Sequence, residues 1–301
     1  MRDQWLAWLG TPERGCQFEH SVRKGSTFET SFCKGEYYCI ANGKGTFQNT
    51  LLVLPREVRE PLPAVVVPFY YPEGMMGCWP GMLRKLVPER PVSYMMEHLV
   101  KRGYACISAE SYHLTYCRSE RPLFDFYRWR DNAKRLYEDH PCWSGVGKLF
   151  ADTELLVDFL EKDTRIDSSR IGIAGHSLGG KIAFYTGCLD SRIKVILASD
   201  FGFHWDQTNW ADPWYWGQEK IAYFKAQNVD HTSLLACAAP KPFGLLAGFY
   251  DNEESGKSMY SLDAYKGEYA ENLLFDNHAS GHAPPAESLE KGYAFLDRFL
   301  K

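Results

Sequence analysis

An α/β fold, with a mostly parallel central sheet, helices on both faces and an N-terminal extension, is predicted by three observations. From residue 63 onward, short apolar runs alternate with segments whose apolar residues recur at helical spacing, the rhythm of parallel strands joined by crossover helices. One of those runs, residues 171–174, is short and wholly apolar, as a strand covered on both faces is. Finally, Gly175-His176-Ser177-Leu178-Gly179 stands between one such run, residues 171–174, and a helix-like segment, residues 181–187. The 301 residues, 45% of them hydrophobic, supply material for one large core, and the chain reads as a single domain, residues 1–301.

Residues 1–60 form the extension, in which 28–32, 36–40 and 47–54 alternate or run apolar as antiparallel edge strands do. Residues 63–67 are the first buried strand, 92–100 a helix closed by Gly103, and 104–109 the next strand. A charged, aromatic stretch, 111–143, has no steady period and reads as a surface excursion. Residues 150–160 return to helical spacing and feed the strand at 171–174. Strands at 192–198, 242–248 and 269–275 follow, with an aromatic-rich insertion at 201–235 and a terminal helix at 286–300. In such sheets, sites form beyond the carboxyl ends of the strands.

A net charge of −4 lacks the basic footprint that nucleic acid requires, so no nucleic-acid partner is expected. No apolar segment reaches the length of a membrane span, and the first ten residues carry an early acid and only a brief apolar run, unlike a secretory signal. The nine cysteines are odd in number and scattered, which suits thiols in a reducing cytoplasm better than a disulfide framework. Neither C-x-x-C nor H-E-x-x-H spacing occurs, so no metal site and no cofactor is expected.

A five-residue G-x-S-x-G arises by composition in roughly one chain in ten of this length, so its setting carries the argument. At a strand-to-helix elbow the serine hydroxyl projects above the sheet edge and the following N–H faces a developing oxyanion; a Cβ at either flanking glycine would collide with neighbouring backbone. Ser177 is therefore a candidate nucleophile, and it needs a base and an acid to orient that base. Among nine histidines, His282 lies between the last predicted strand and the terminal helix, where Gly281 permits a tight turn and Pro284-Pro285 stiffen the exit. His278 is its rival. Asp251, just beyond the strand at 242–248, is the first candidate acid; Glu253 and Glu254 share its loop, and Asp200 follows the neighbouring strand. The Leu178 amide is one expected oxyanion donor. Tyr71 or Tyr70, in the turn after residues 63–67, is the other, since Pro68 and Pro72 have no N–H.

With Ser177, Asp251 and His282 in that order, the chain resembles the α/β-hydrolase superfamily over roughly residues 60–301. In detail it looks like the dienelactone-hydrolase-like and acetyl-xylan-esterase-like branch, through Ala239-Pro240-Lys241-Pro242-Phe243 before the acid strand and Gly281-His282-Ala283-Pro284-Pro285 around the histidine. The resemblance implies ester hydrolysis through an acyl-serine, without cofactor. Phe69-Tyr70 replace the His-Gly common in relatives, and Ser177 replaces the cysteine of dienelactone hydrolases proper. The run from Gly175 to Lys181 also fits the G-x-S-x-x-G-K pattern of glucuronoyl esterases, in which the lysine helps to hold the sugar.

Within the insertion, Trp210 and Trp214 are candidate pocket walls, because aromatic faces interspersed with amides suit sugar rings or flat acyl groups. The expected activity is cleavage of a small or carbohydrate-linked ester, with Lys181, Trp210 and Trp214 as candidate substrate contacts. Acyl-peptide hydrolysis and a non-catalytic binding role on the same scaffold stay open.

Overall fold

The computed structural model describes residues 1–10, 21–43, 45–58, 61–79, 91–252, 262 and 267–301. After a short helix α1 (Arg2–Leu9), three strands β1 (Val22–Glu29), β2 (Cys33–Gly43) and β3 (Thr46–Pro55) form an antiparallel meander. The stretch expected as a strand at 28–32 is instead largely the turn joining β1 to β2. Thr30 makes that turn, its hydroxyl oxygen accepting from the amides of Phe32 and Cys33.

The chain then alternates: β4 (Leu62–Val66), α2 (Met95–Lys101), β5 (Ala105–Ala109), α3 (Tyr112–Thr115), α4 (Phe126–Asp139), α5 (Gly145–Lys162), β6 (Ile166–His176) and α6 (Leu178–Leu189). It ends with β7 (Ile193–Ser199), α7 (Gln218–Ala226), α8 (His231–Ala238), β8 (Phe243–Gly248), β9 (Leu273–His278) and α9 (Ala286–Leu300). One nine-stranded sheet results, in the order β1-β2-β3-β5-β4-β6-β7-β8-β9. The six strands from β5 to β9 in that order run parallel, and β3 joins them antiparallel through β5. The meander of the extension is therefore continuous with the main sheet.

Successive strand residues face opposite layers. Ala64 and Val66 pack into a core with Val157, Leu160 and Phe184 from α5 and α6, whereas Val65 and Val67 pack with Met96, Leu99 and Leu296 from α2 and α9. This two-sided burial is why the central strands read as predominantly apolar runs rather than as alternating ones.

Two further expectations are corrected. Residues 111–143 hold a helix, α4, capped by Asp125, whose carboxylate accepts from the amides of Tyr127 and Arg128. Its buried face is Trp129, Asn132, Ala133 and Leu136, a helical i, i+3, i+4, i+7 set that one polar member disguises. The last strand runs from Leu273 to His278, because residues Gly267–Asn272 form a 3₁₀ turn, and His278 becomes a strand-end residue. Among the described residues, no helix is long and apolar enough to cross a membrane.

Candidate active site

β6 ends at His176 and α6 begins at Leu178, so Ser177 alone makes the turn, at φ 57° and ψ −116°. A non-glycine residue holds such a backbone only where its surroundings over-determine it, at a cost of about 1–3 kcal/mol. Here the Ser177 amide donates to the Ser199 carbonyl at 2.8 Å, and the Ser177 carbonyl accepts from Lys181 N–H at 3.0 Å. A Cβ on Gly175 would overlap the Gly179 carbonyl oxygen, and one on Gly179 the Pro68 carbonyl oxygen. Gly175 thus lets α6 close directly on the end of β6, and Gly179 lets the turn after β4 pass over the start of α6.

Asp251 sits in the turn that leaves β8, its amide donating to the Gly248 carbonyl at 3.0 Å. His282, in the loop between β9 and α9, has Nδ1 at 3.0 Å from each oxygen of Asp251, and Nε2 at 2.8 Å from Ser177 Oγ. A carboxylate only accepts, so Nδ1 carries the proton and Nε2 of the neutral ring is left to accept from the serine hydroxyl. The His282 side chain is 48% exposed and that of Asp251 19%, so the imidazole faces solvent while the carboxylate is sheltered. Chemically, this arrangement can draw a proton from Ser177 as its oxygen attacks a carbonyl carbon.

Leu178 is the first residue of α6, so its N–H belongs to the helix turn that has no intrahelical acceptor, at the positive end of the dipole. The turn after β4 is fixed beside it. The Ser111 amide donates to the Tyr70 carbonyl and the Ser111 hydroxyl to the Phe69 carbonyl, each at 2.9 Å, while the Tyr71 hydroxyl donates to the Cys78 carbonyl at 3.0 Å. Burial pushes the Tyr70 and Tyr71 phenols up to about 12, which keeps both rings neutral.

The remaining candidates lie elsewhere. Asp200 does not serve His282; its carboxylate is enclosed, with Oδ1 3.2 Å from Nε2 of His278. His278, the rival base, is buried, and its Nδ1 meets the Ser280 hydroxyl at 2.8 Å. Glu253 and Glu254 lie outside the described residues. Lys181 points inward: its ammonium donates to the Phe201 carbonyl and the Thr208 hydroxyl, both at 3.1 Å, over the rings of Trp210 and Tyr215. Burial pulls that ammonium down to about 7, against the opposing pull of Asp212 and Asp251.

Trp210 and Trp214 are also core residues rather than pocket walls. Trp210 is fully enclosed and donates its indole N–H to the Gly202 carbonyl at 2.7 Å, and Trp214 packs between Phe126 and Trp129. These rings anchor the insertion, a gain in apolar burial that leaves no face for a ligand.

Sequence reasoning missed the aromatic residues that are exposed. Phe249 and Tyr250, immediately before Asp251, are 55% and 72% exposed, and Phe124 is half-exposed against Tyr70 and Tyr71. The available signal was position: Phe249-Tyr250 lie between a strand end and the candidate acid.

No protein-family model matches the chain. It is 27% identical over 166 residues to "Putative hydrolase YtaP" of Bacillus subtilis (strain 168), a match covering 51% of this chain and 54% of that protein. The match thus spans about half the length of that curated relative. Among solved structures, a glucuronoyl esterase from Solibacter usitatus superposes with a TM-score of 0.71 at 14% identity, covering 98% of this chain and 91% of that one. An acetyl xylan esterase from Paenibacillus sp. R4 does so with a TM-score of 0.59 at 14% identity, covering 99% of each. The chain has the α/β-hydrolase fold.

Proposed function

We propose that this chain is a serine esterase in which Ser177 is the nucleophile, His282 the general base and Asp251 the residue that orients it. The observation that carries the reading is the continuous hydrogen-bonded line from Asp251 through His282 to Ser177 Oγ, on a backbone strained to present that oxygen. As Ser177 Oγ bonds to the ester carbonyl carbon, its proton passes to His282 Nε2. The carbonyl oxygen becomes an oxyanion facing the Leu178 N–H and an amide of the Tyr70–Tyr71 turn. Collapse breaks the ester C–O bond, and His282 returns the proton to the departing alcohol. Water activated by the same base then releases the acid and restores Ser177.

In this reading the ester has a small acyl group or is linked to a carbohydrate, and the substrate carries a ring. Support comes from the exposed rings of Phe249, Tyr250 and Phe124, two of which adjoin the acid in sequence and one of which adjoins the proposed oxyanion turn in space. Lys181 does not help to choose a uronoyl ester, because its ammonium is already spent on Phe201 and Thr208.

Purified protein is expected to hydrolyse p-nitrophenyl acetate and to react with a fluorophosphonate probe, and Ser177→Ala is expected to lose both. Retention of either by the alanine variant would remove Ser177 from the mechanism.

A further inference from the structure

The buried carboxylate of Asp200 lies where the segments carrying the three proposed catalytic residues meet: it accepts from the Ser199 hydroxyl and the Gly248 amide, and His278 packs against it. Beside Ser177, His176 places Nδ1 at 3.1 Å from the Ser199 hydroxyl, which donates to Asp200 Oδ2 at 2.9 Å. The Ser199 carbonyl in turn accepts from the Ser177 amide. Before Asp251, the amide of Gly248 donates to Asp200 Oδ1 at 2.7 Å, and the Gly248 carbonyl accepts from the Asp251 amide. Before His282, His278 sets Nε2 at 3.2 Å from the same Oδ1. Its Nδ1 reaches the Ser280 hydroxyl, which donates to the Ala283 carbonyl at 2.8 Å and so brackets His282 from both sides.

Asp200 itself holds a left-handed backbone, φ 46°, with its side chain wholly enclosed. A strained, buried carboxylate persists only where its surroundings repay it; here the donors are Ser199, which also holds the Ser177 amide, and Gly248, which also holds the Asp251 amide, with His278 of the strand before the His282 loop packed alongside. Burial also holds His176 down at about 4, so the ring beneath the elbow stays neutral and can donate to Ser199.

We infer that Asp200 is a positioning residue that fixes the relative placement of the Ser177 elbow, the Asp251 turn and the His282 loop. This rests on the serine-esterase reading. The mechanical argument is one of tolerance: a catalytic constellation must be held within about 0.5 Å of its productive geometry, and displacement by about 1 Å can cost a hundredfold. Asp251 and His282 lie on a strand turn and a loop, and a shared anchor below both removes their independent motion.

The test is Asp200→Asn. The carboxamide keeps the volume but has one acceptor oxygen where the carboxylate offers two, so it cannot receive both Gly248 N–H and Ser199 O–H. The expected result is a fall in kcat of about 10- to 100-fold with KM within twofold, and an equal slowing of fluorophosphonate labelling. The labelling readout separates positioning from substrate binding. Ser199→Ala, which removes a single bond to the anchor, is expected to show a smaller loss with the same split. If Asp200→Asn fails to fold, that variant decides the matter. Combining the two should give less than the product of their separate effects, as members of one network do. Wild-type labelling rates in the folded variants, or fully multiplicative effects, would overturn the positioning role. An unreactive wild-type serine would instead sink the esterase reading and this inference with it.

Discussion

Replacing Lys181 by methionine should flatten the pH dependence of stability. In the fold, burial lowers its ammonium from the ordinary 10.5 to about 7, whereas the unfolded chain leaves it near the ordinary value. Below pH 7 both states hold the proton, and stability carries the full cost of burying the charge. As pH rises from 7 toward 10.5, the folded state releases the proton while the unfolded state keeps it, so stability increases. Each unit is worth about 1.36 kcal/mol, so between about pH 6 and pH 9 the native lysine contributes a rise of about 2.5 kcal/mol. Lys181→Met removes that contribution and leaves every other titrating group in place, including the buried histidines His113, His176 and His231. Urea unfolding of both proteins across this range gives the difference directly. Parallel curves would refute the reasoning. They would mean that the acceptors at Phe201 and Thr208, with the Trp210 and Tyr215 rings, repay the burial and keep the ammonium charged.

Two further outcomes follow from the site. Asp251→Asn lets a carboxamide N–H face His282 Nδ1 and favours the wrong tautomer at Nε2, so kcat for p-nitrophenyl acetate should fall by roughly 10³- to 10⁴-fold. A loss below tenfold would show that Asp251 does not orient the base. Gly179→Ala places a methyl group against the Pro68 carbonyl, which is backbone and must move, so unfolding should require about 1–3 kcal/mol less and turnover should drop as the neighbouring turn shifts. Unchanged melting and unchanged rates would show that the turn after β4 does not rest on the helix start.

Much of this fold is legible because of two-sided burial. Residues 63–67, 104–109, 193–198 and 242–248 are predominantly apolar, with Lys194 and Ser108 as the polar exceptions, since α2 and α9 cover one side of the sheet and α5 and α6 the other. Where only a narrow face is buried, the reading fails: α4 has four inward residues, one of them Asn132, and its remaining charged and aromatic positions obscure the period. The elbow is legible for a different reason. A strained serine, flanked by glycines that neighbouring backbone requires, leaves a local signature that needs no knowledge of distant residues.

Pairing is another matter. The order of Ser177, Asp251 and His282 along the chain is a local observation, but two histidines and several carboxylates satisfy it equally well until β7, β8 and β9 are laid side by side. Register then puts Asp251 on His282 and Asp200 on His278, one pair facing solvent and the other enclosed. The same applies to the aromatic residues. Composition marks the rings of 201–217 as notable, yet which rings are covered depends on what packs against them. Trp210 and Trp214 are enclosed by helices and turns remote in sequence, and Phe249 and Tyr250 are not. Sequence by itself determined the strand-helix rhythm and the Ser177 elbow, because both arise from contacts within a few residues or from burial common to a whole segment. Tertiary structure alone decided which acid meets which base and which rings are exposed, because those depend on long-range packing that no local pattern encodes.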